Sequence, residues 1–467
     1  MGEGRGRGVV VTRDVLPGEL LLSSRPIAFT SGDEGEIPDG DVLLASIDSS
    51  QYTATERSLF RSLVNGNGDE KDSIVPDYLS LAASPADVNV PLAGEDKKAL
   101  SDAEVHEGDR FGMIVLNSFG EQFQDLAATM SRGEPLQGHL GLWPDFSMIN
   151  HSCLPTALNY VMARDTMVVR AATPLTKGQE VTINYLGRGS LCAVDERQQE
   201  LSAGYGFDCM CPRCMWELGA TGVAATVSTL QRRLVREVAP AFASATEQQD
   251  TAQLRGVERT LAGMLSELGQ HASDSTQPGH ASNPHSTATS PPPPSAPDSP
   301  EQTSPSPQHP KHGDAGGGGS GSSGLPSSSG GGGGGGSGTC SSAPTVDGAG
   351  DLLSERDMQW LRASAFDLHS CHNMCCEELQ LKAELMEGVQ TVAGIAAAVA
   401  PGSDLHLFLS VKHLSLAQSL HGQESAEARR VQGQCLEVLT LRYGPVSNAT
   451  AAHLLQCASR GLDRLEL

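Results

Sequence analysis

Apolar positions in the first thirty residues come in short runs broken by turn residues. Val9-Val10-Val11, then Leu16-Pro17-Gly18-Glu19, then Leu20-Leu21-Leu22 predict a β-hairpin. Residues 31–108 are acidic and loop-rich, with one helix expected over 55–64, and a helical pattern covers 111–130 with Asn117 near its start. Residues 139–186 return to short strands, among them 166–171 and 181–185. The period then changes: Leu254, Val257, Leu261, Met264, Leu265 and Leu268 fall on one helical stripe. Beyond residue 351 the chain reads as helix throughout. Leu405, Phe408, Val411, Leu414 and Leu420 mark one amphipathic helix, and Val431, Cys435, Val438 and Leu441 mark another. Pro401-Gly402 and Tyr443-Gly444-Pro445 punctuate them.

Residues 270–350 are a different polymer, with a proline run at 291–294 and glycine runs at 316–319 and 330–336. Such a composition does not bury enough apolar area to offset its ordering entropy, so a disordered linker is expected. The whole chain has 467 residues, room for two or three domains, and only 38% hydrophobic content because the linker dilutes it. A net charge of -24 argues against general nucleic-acid binding, which needs clustered Lys and Arg, and favours basic partners or simple solubility. No apolar run reaches the roughly 18 residues of a membrane span. No signal peptide is expected, and the Cys usage fits thiolate ligands in a reduced intracellular compartment better than a disulfide framework.

The cysteines are unevenly placed. Three crowd into Cys209-Met210-Cys211-Pro212-Arg213-Cys214, and one sits upstream in Asn150-His151-Ser152-Cys153. A closed tetrahedral zinc site takes four thiolates; the cluster supplies three, and Cys153 is the candidate for the fourth. With four sulfur ligands no position stays open for water, so such a metal would be structural. Cys192 lies between and is not expected to bind. A second group, His369, Cys371, His372, Cys375 and Cys376, lacks a partner pair at zinc spacing and reads as buried helical core.

Asn150-His151-Ser152-Cys153, the strand ending on Tyr185, then Tyr205-Gly206-Phe207-Asp208-Cys209 and the C-x-C-x-x-C run resemble the SET-domain lysine methyltransferases, in particular their SMYD branch. Gly4-Arg5-Gly6-Arg7-Gly8 with the following Pro17-Gly18-Glu19 also resembles the opening of that branch, as does Pro26-Ile27-Ala28-Phe29. The resemblance implies that Asn150 and His151 contact S-adenosylmethionine and that Phe207 stacks on its adenine. It places Arg5 and Arg7 near the cofactor carboxylate and Asn117 against the cofactor from the helical insert. It puts the Tyr185 hydroxyl at the methyl-transfer pore. Tyr205 is a second catalytic candidate. Tyrosine is scarce here, six in 467 residues, although on residue type alone both could be core rings with satisfied hydroxyls.

The branch carries a zinc-binding MYND finger that this sequence lacks, since residues 31–110 contain no cysteine. Pro155-Thr156 and Gly187 also depart from the usual residues. The expected fold class is α+β: a β-rich SET domain over 1–186 with an insert at about 31–130, a zinc-stapled post-SET segment over 187–220, and a helical stretch over 221–269. After the 270–350 linker, an all-α tetratricopeptide-like domain is expected over 351–467. The expected function is S-adenosylmethionine-dependent methylation of lysine on a protein substrate, histone or non-histone, with a basic histone tail as one candidate partner, by a monomer in the nucleus or cytoplasm. The competing reading is an inactive zinc-stapled scaffold that binds a partner through its helical array.

Overall fold

The computed structural model describes residues 7–47, 107–162, 165–274 and 354–462, with a few positions between 53 and 63. The expected linker therefore lies outside the described residues apart from 270–274, and so does most of the helix expected over 55–64.

The N-terminal domain is built from three small sheets. Strands β1 (Val9–Val10), β9 (Glu180–Ile183) and β6 (Asn150–His151) form one sheet. Strands β2 (Leu20–Ser24), β8 (Thr166–Ala171) and β7 (Ala157–Met162) form the second. Strands β3 (Ala28–Ser31), β5 (His139–Leu142) and β4 (Ser118–Glu121) form the third. All pairs are antiparallel except β6 with β9.

The expected hairpin between residues 9 and 22 does not form. Residues 9–24 instead run as one ribbon antiparallel to residues 167–181, with Val9 opposite Val181, Val15 opposite Leu175 and Ser24 opposite Met167. The reason is visible at the turn. Gly18, at φ +81°, donates its N–H to Ala171 O, and Arg170 donates to Gly18 O at 2.8 Å, so the turn bonds across to the distant strand. A Cβ on Gly18 would stand 2.6 Å from Thr440 O in the C-terminal region, which keeps this position glycine.

The helical pattern over 111–130 is also divided. Helix α1 (Gly40–Ser46) lies early in the expected insert, and α2 (Glu107–Asn117) gives way to strand β4 before α3 (Leu126–Arg132) begins. Asn117 therefore ends a helix instead of opening one. Strand β4 wins because β5 offers it a full register, with Phe119 opposite Gly141. That glycine leaves room for Phe29 and Trp143, whose atoms would lie within 2.9 Å of any Cβ there. Tertiary pairing overrides a helix-compatible spacing.

The chain then turns helical: α4 (Val194–Tyr205), α5 (Pro212–Gly219), α6 (Thr221–Arg233), a π-helical turn at Leu234–Val238, α7 (Ala239–Glu247) and α8 (Thr251–Asp274). Six more helices follow the gap: α9 (Glu355–Ser364), α10 (Phe366–Glu378), α11 (Lys382–Val399), α12 (Asp404–His421), α13 (Ala426–Tyr443) and α14 (Asn448–Gly461). Serine side chains cap four of them: Ser354, Ser403, Ser425 and Ser447 each accept an N–H from the first turn. Each such cap is worth about 1 kcal/mol. The stripe at Leu254, Val257, Leu261, Met264 and Leu268 packs with Leu361, Leu368 and Cys375, so the helices before and after the gap share one core. Cys375 is fully buried there and Cys376 equally so beside Leu385 and Val389, as expected of structural thiols. Among the described residues no helix is long and apolar enough to cross a membrane.

Strand β8 is buried on both faces because the helices cover the side turned away from the domain core. Leu158, Tyr160 and Val168 pack there with Leu441 and Tyr443. A fully buried ion pair reinforces this contact. Arg442 donates from Nε to Asp125 Oδ2 at 2.7 Å, from Nη1 to Gly402 O at 3.1 Å and from Nη2 to Asp404 Oδ2 at 2.9 Å. Its guanidinium lies over the Tyr160 ring at 4.6 Å. Asp125 in turn caps α3 through Ala128 N at 2.7 Å. Removing one partner of such a buried pair costs about 3–5 kcal/mol, because the other charge is stranded.

Glu121, at the end of β4, belongs to the same electrostatic neighbourhood. Burial, then the Asp404 and Asp125 carboxylates, push its pKa up to about 8, while Arg442 opposes the rise. A carboxyl with a raised folded-state pKa stabilises the fold at low pH and loses that contribution as pH rises toward the folded value. The stability of Glu121→Gln relative to the natural protein should therefore climb between the ordinary carboxylate range and about pH 8, then level off. Melting temperatures of both proteins across that range check it; parallel curves would refute the assignment.

Candidate functional site

The parallel β6–β9 pair sets the site. It places Asn150 beside Thr182 and His151 beside Ile183, so the Asn-His-Ser-Cys segment runs alongside the strand that leads to Tyr185. Tyr185 lies two residues past the end of that strand. Its backbone N–H donates to His151 Nδ1 at 3.0 Å, and its hydroxyl donates to Ile149 O at 2.6 Å. The phenol is thereby fixed at both ends, its proton committed to a carbonyl and its lone pairs left for another group. Burial, with smaller contributions from Tyr205 and Glu180, holds its pKa above the usual phenol value, so it stays neutral.

Four rings gather around this hydroxyl. Tyr185 and Tyr205 have centroids 5.0 Å apart, His151 and Tyr185 5.3 Å, His151 and Phe207 6.0 Å, and Tyr205 and Phe207 6.4 Å. Tyr205 closes α4, where Gly206 in the left-handed region (φ +73°) turns the chain and brings Phe207 back into the group. At 37% exposure Tyr205 forms the outer wall, with Tyr185 deeper.

Asn150 faces the opposite side. Its amide donates to Arg7 O and to Glu180 Oε1, both at 2.8 Å, which pins the N-terminal glycine-rich stretch to the site. Arg5 lies outside the described residues. Asn117 joins indirectly: Ser147 donates to Asn117 O at 2.9 Å from the short 3₁₀ turn just before Asn150, while the Asn117 side chain donates to Met113 O at 2.8 Å. The structure thus brings Arg7, Asn150, His151, Tyr185, Tyr205 and Phe207 together, with Asn117 linked to the same segment through Ser147.

Beneath the rings lie the four cysteines. The sulfurs of Cys153, Cys209, Cys211 and Cys214 are all within 4.8 Å of one another, and all four residues are buried. Among the described residues this is the one group of His, Cys, Asp or Glu side chains close enough to hold a metal ion. Gln198 clamps the Cys209 backbone with two hydrogen bonds, and Cys211 stands at the N-cap of α5, where the helix dipole favours a thiolate. His151 bridges to the rings: Nδ1 accepts from Tyr185, so Nε2 carries the proton, 3.2 Å from Cys153 Sγ.

Sequence reasoning missed the charges around the cluster. Arg197 donates to Cys214 Sγ at 3.4 Å and to Glu217 at 3.0 Å. Arg213 donates to Glu217 at 2.7 Å and to Ser364 Oγ at 2.9 Å. Both arginines are fully buried with only one carboxylate between them. The surplus positive charge is answered if the sulfurs are thiolates on a divalent cation, a centre of charge minus two; four neutral thiols would leave it unanswered. The donor set and its surroundings therefore fit a metal. Arg213 sits inside the C-x-C-P-R-C run itself, so its position was visible; its burial was not.

Residues 6–186 match the SET domain family model. Human "Protein-lysine N-methyltransferase SMYD4" is 41% identical over 78 residues, 16% of this chain and 10% of that protein. Mouse "Histone-lysine N-methyltransferase SMYD3" is 32% identical over 106 residues, 23% of this chain and 22% of that protein. Arabidopsis thaliana "Histone-lysine N-methyltransferase ASHR1" is 40% identical over 108 residues, covering 22% of each. The chain thus matches no more than about a quarter of the length of these relatives. The N-terminal β-rich region is a SET domain, and the described part of the helical array lies outside the matched segment.

Gly8 offers a test of the Asn150 anchor. A Cβ there would stand 2.7 Å from both Asn150 Nδ2 and Glu180 Oε1. Gly8→Ala should destabilise the protein by about 1–3 kcal/mol, as overpacking does. Combined with Asn150→Ala, which removes the obstructed amide, the cost should be clearly less than additive in a denaturant double-mutant cycle.

Proposed function

We propose that this chain transfers a methyl group from S-adenosylmethionine to the side-chain amine of lysine on a protein substrate. The observation that carries the reading is the Tyr185 hydroxyl, tied to Ile149 O inside the ring group of His151, Tyr205 and Phe207 and next to Asn150. The SET-domain match and the printed names of the relatives support it.

When bound, S-adenosylmethionine supplies a methyl on a sulfonium centre. Asn150, His151, Arg7, Asn117 and Phe207 would hold it, with Arg5 from the adjacent glycine-rich stretch. A lysine amine has an ordinary pKa of about 10.4 and must lose its proton before it attacks. Walls of Tyr185 and Tyr205 exclude water and disfavour the ammonium, which lowers that cost. The Tyr185 oxygen, its proton engaged by Ile149 O, presents lone pairs that orient the incoming amine or meet a positively charged methyl. The four cysteines would hold a zinc with all-sulfur ligands, which would make its role structural and leave the chemistry to the side chains. A basic histone tail is one substrate with the right chemistry for so acidic a protein, which we place as a monomer in the nucleus or cytoplasm.

Tyr185→Phe keeps the ring and deletes the oxygen. It should bind S-adenosylmethionine within a few-fold of the natural protein yet lose turnover by roughly a hundredfold or more. Calorimetry and transfer of labelled methyl to a lysate measure the two quantities. Absence of cofactor binding in the natural protein would leave a scaffold as the better reading, and full activity of Tyr185→Phe would move the catalytic role to Tyr205.

Purified protein should carry about one zinc per chain, and Cys211→Ser should lose both the metal and much of the thermal stability, since binding is coupled to folding. Elemental analysis with a melting curve checks this; a folded, metal-free protein would contradict it.

A further inference from the structure

The helical array encloses a groove of about 570 Å³ between α9, α11, α12 and α13. That size suits a small ligand or a stretch of peptide, for which sites of roughly 300–1,000 Å³ are usual. Its floor is one face of α12, where His406, Ser410 and His413 recur at four- and three-residue spacing. These are polar residues in a buried position: His413 is only 2% exposed, and its Nε2 has no hydrogen-bond partner among the described residues. An unmet buried nitrogen is costly, and an occupant of the groove that bonds it would recover that cost.

The walls are acidic. Glu387 on α11 and Glu437 on α13 are exposed, line the groove from opposite sides, and have no ion-pair partner among the described residues. Glu355 stands 3.7 Å from Arg362, so the one wall arginine is already answered. Burial holds His413 below its usual pKa and brings His406 down to about 4, so the floor is neutral and does not repel cations. Leu441, at one end of the groove, packs against the SET-domain strands through Leu158, which makes the groove continuous with the domain interface.

We infer that this groove docks a Lys/Arg-bearing peptide segment, the carboxylates of Glu387 and Glu437 receiving its cations and the His413 ring a polar group of the peptide. Its use as a substrate-docking surface rests on the methyltransferase reading above; the binding itself does not. A protein substrate could then be held at two places, one in the groove and one at the pore, and gain affinity from the linkage.

The test uses the full chain and a fluorescein-labelled peptide of alternating Lys and Ser, with a Glu–Ser peptide of equal length beside it. Glu387→Lys/Glu437→Lys should weaken Lys–Ser binding about tenfold or more in fluorescence anisotropy. Asp41→Lys/Glu247→Lys makes the same change in net charge elsewhere on the surface and should leave affinity within about twofold. The natural protein should bind the Glu–Ser peptide much more weakly. Equal binding by the groove variant, an equal loss in the control variant, or equal affinity for the acidic peptide would each overturn the proposal. S-adenosylmethionine binding, measured on the same samples, separates the two readings. Peptide docking without cofactor binding would sink the methyltransferase and leave the groove; methyl transfer with unaltered peptide binding in the groove variant would do the reverse.

Discussion

Everything around Tyr185 rests on a knot of buried charge beside the cysteines. Arg197, Glu217 and Arg213 interlock beneath the four cysteines, and all three meet at the Ser364 hydroxyl. Arg197 reaches Cys214, Arg213 reaches the carbonyl of Ser190 and the hydroxyl of Ser364, and Glu217 holds both guanidinium groups. The knot therefore joins the segment that follows Tyr185, the cysteine-bearing helix α5 and the first helix after the gap. Isolated, a pair of buried arginines with one carboxylate would be a heavy desolvation cost. It is tolerable because four sulfurs stand next to it, so cysteine cluster, charge and fold are a single device.

His151 carries that device upward. One ring nitrogen faces Cys153 and the other receives the backbone N–H of Tyr185. The ring is held by a sulfur on one side and holds Tyr185 on the other, so the position of the Tyr185 hydroxyl inherits the rigidity of the cluster. The sequence motif Asn-His-Ser-Cys packs three tasks into four residues: Asn150 for the N-terminal stretch, His151 for the tyrosine and Cys153 for the cluster.

What could be read from the sequence was local. The cysteine spacing, the tyrosine after a strand, the aromatic before the cluster and the long helical stripes are all contained within a few turns of chain, and the structure assembles them as a group. What escaped was pairing across distance. Residues 9–24 carry strand-like runs, but nothing in them announces that residues 167–181 are the partner, so a hairpin was the natural expectation. Residues 118–121 keep Phe119 four residues after Val115, a helical spacing, and only the register offered by β5 makes them a strand. The buried arginines were hidden for a further reason: arginine is usually exposed, and composition gives no hint of a partner on another element.

The contact between Asp125 and Arg442 also bears on where one folding unit ends. The SET-domain match stops at residue 186, yet Asp125, inside it, caps its own helix and simultaneously neutralises an arginine more than three hundred residues later. A fragment trimmed to the matched segment would keep a buried carboxylate with its counter-charge removed and the outer face of β8 uncovered. The boundary that marks homology is thus not a boundary of cooperativity. The helical array is part of what the SET domain folds against, and change in one is constrained by the other even where the two share no chemistry.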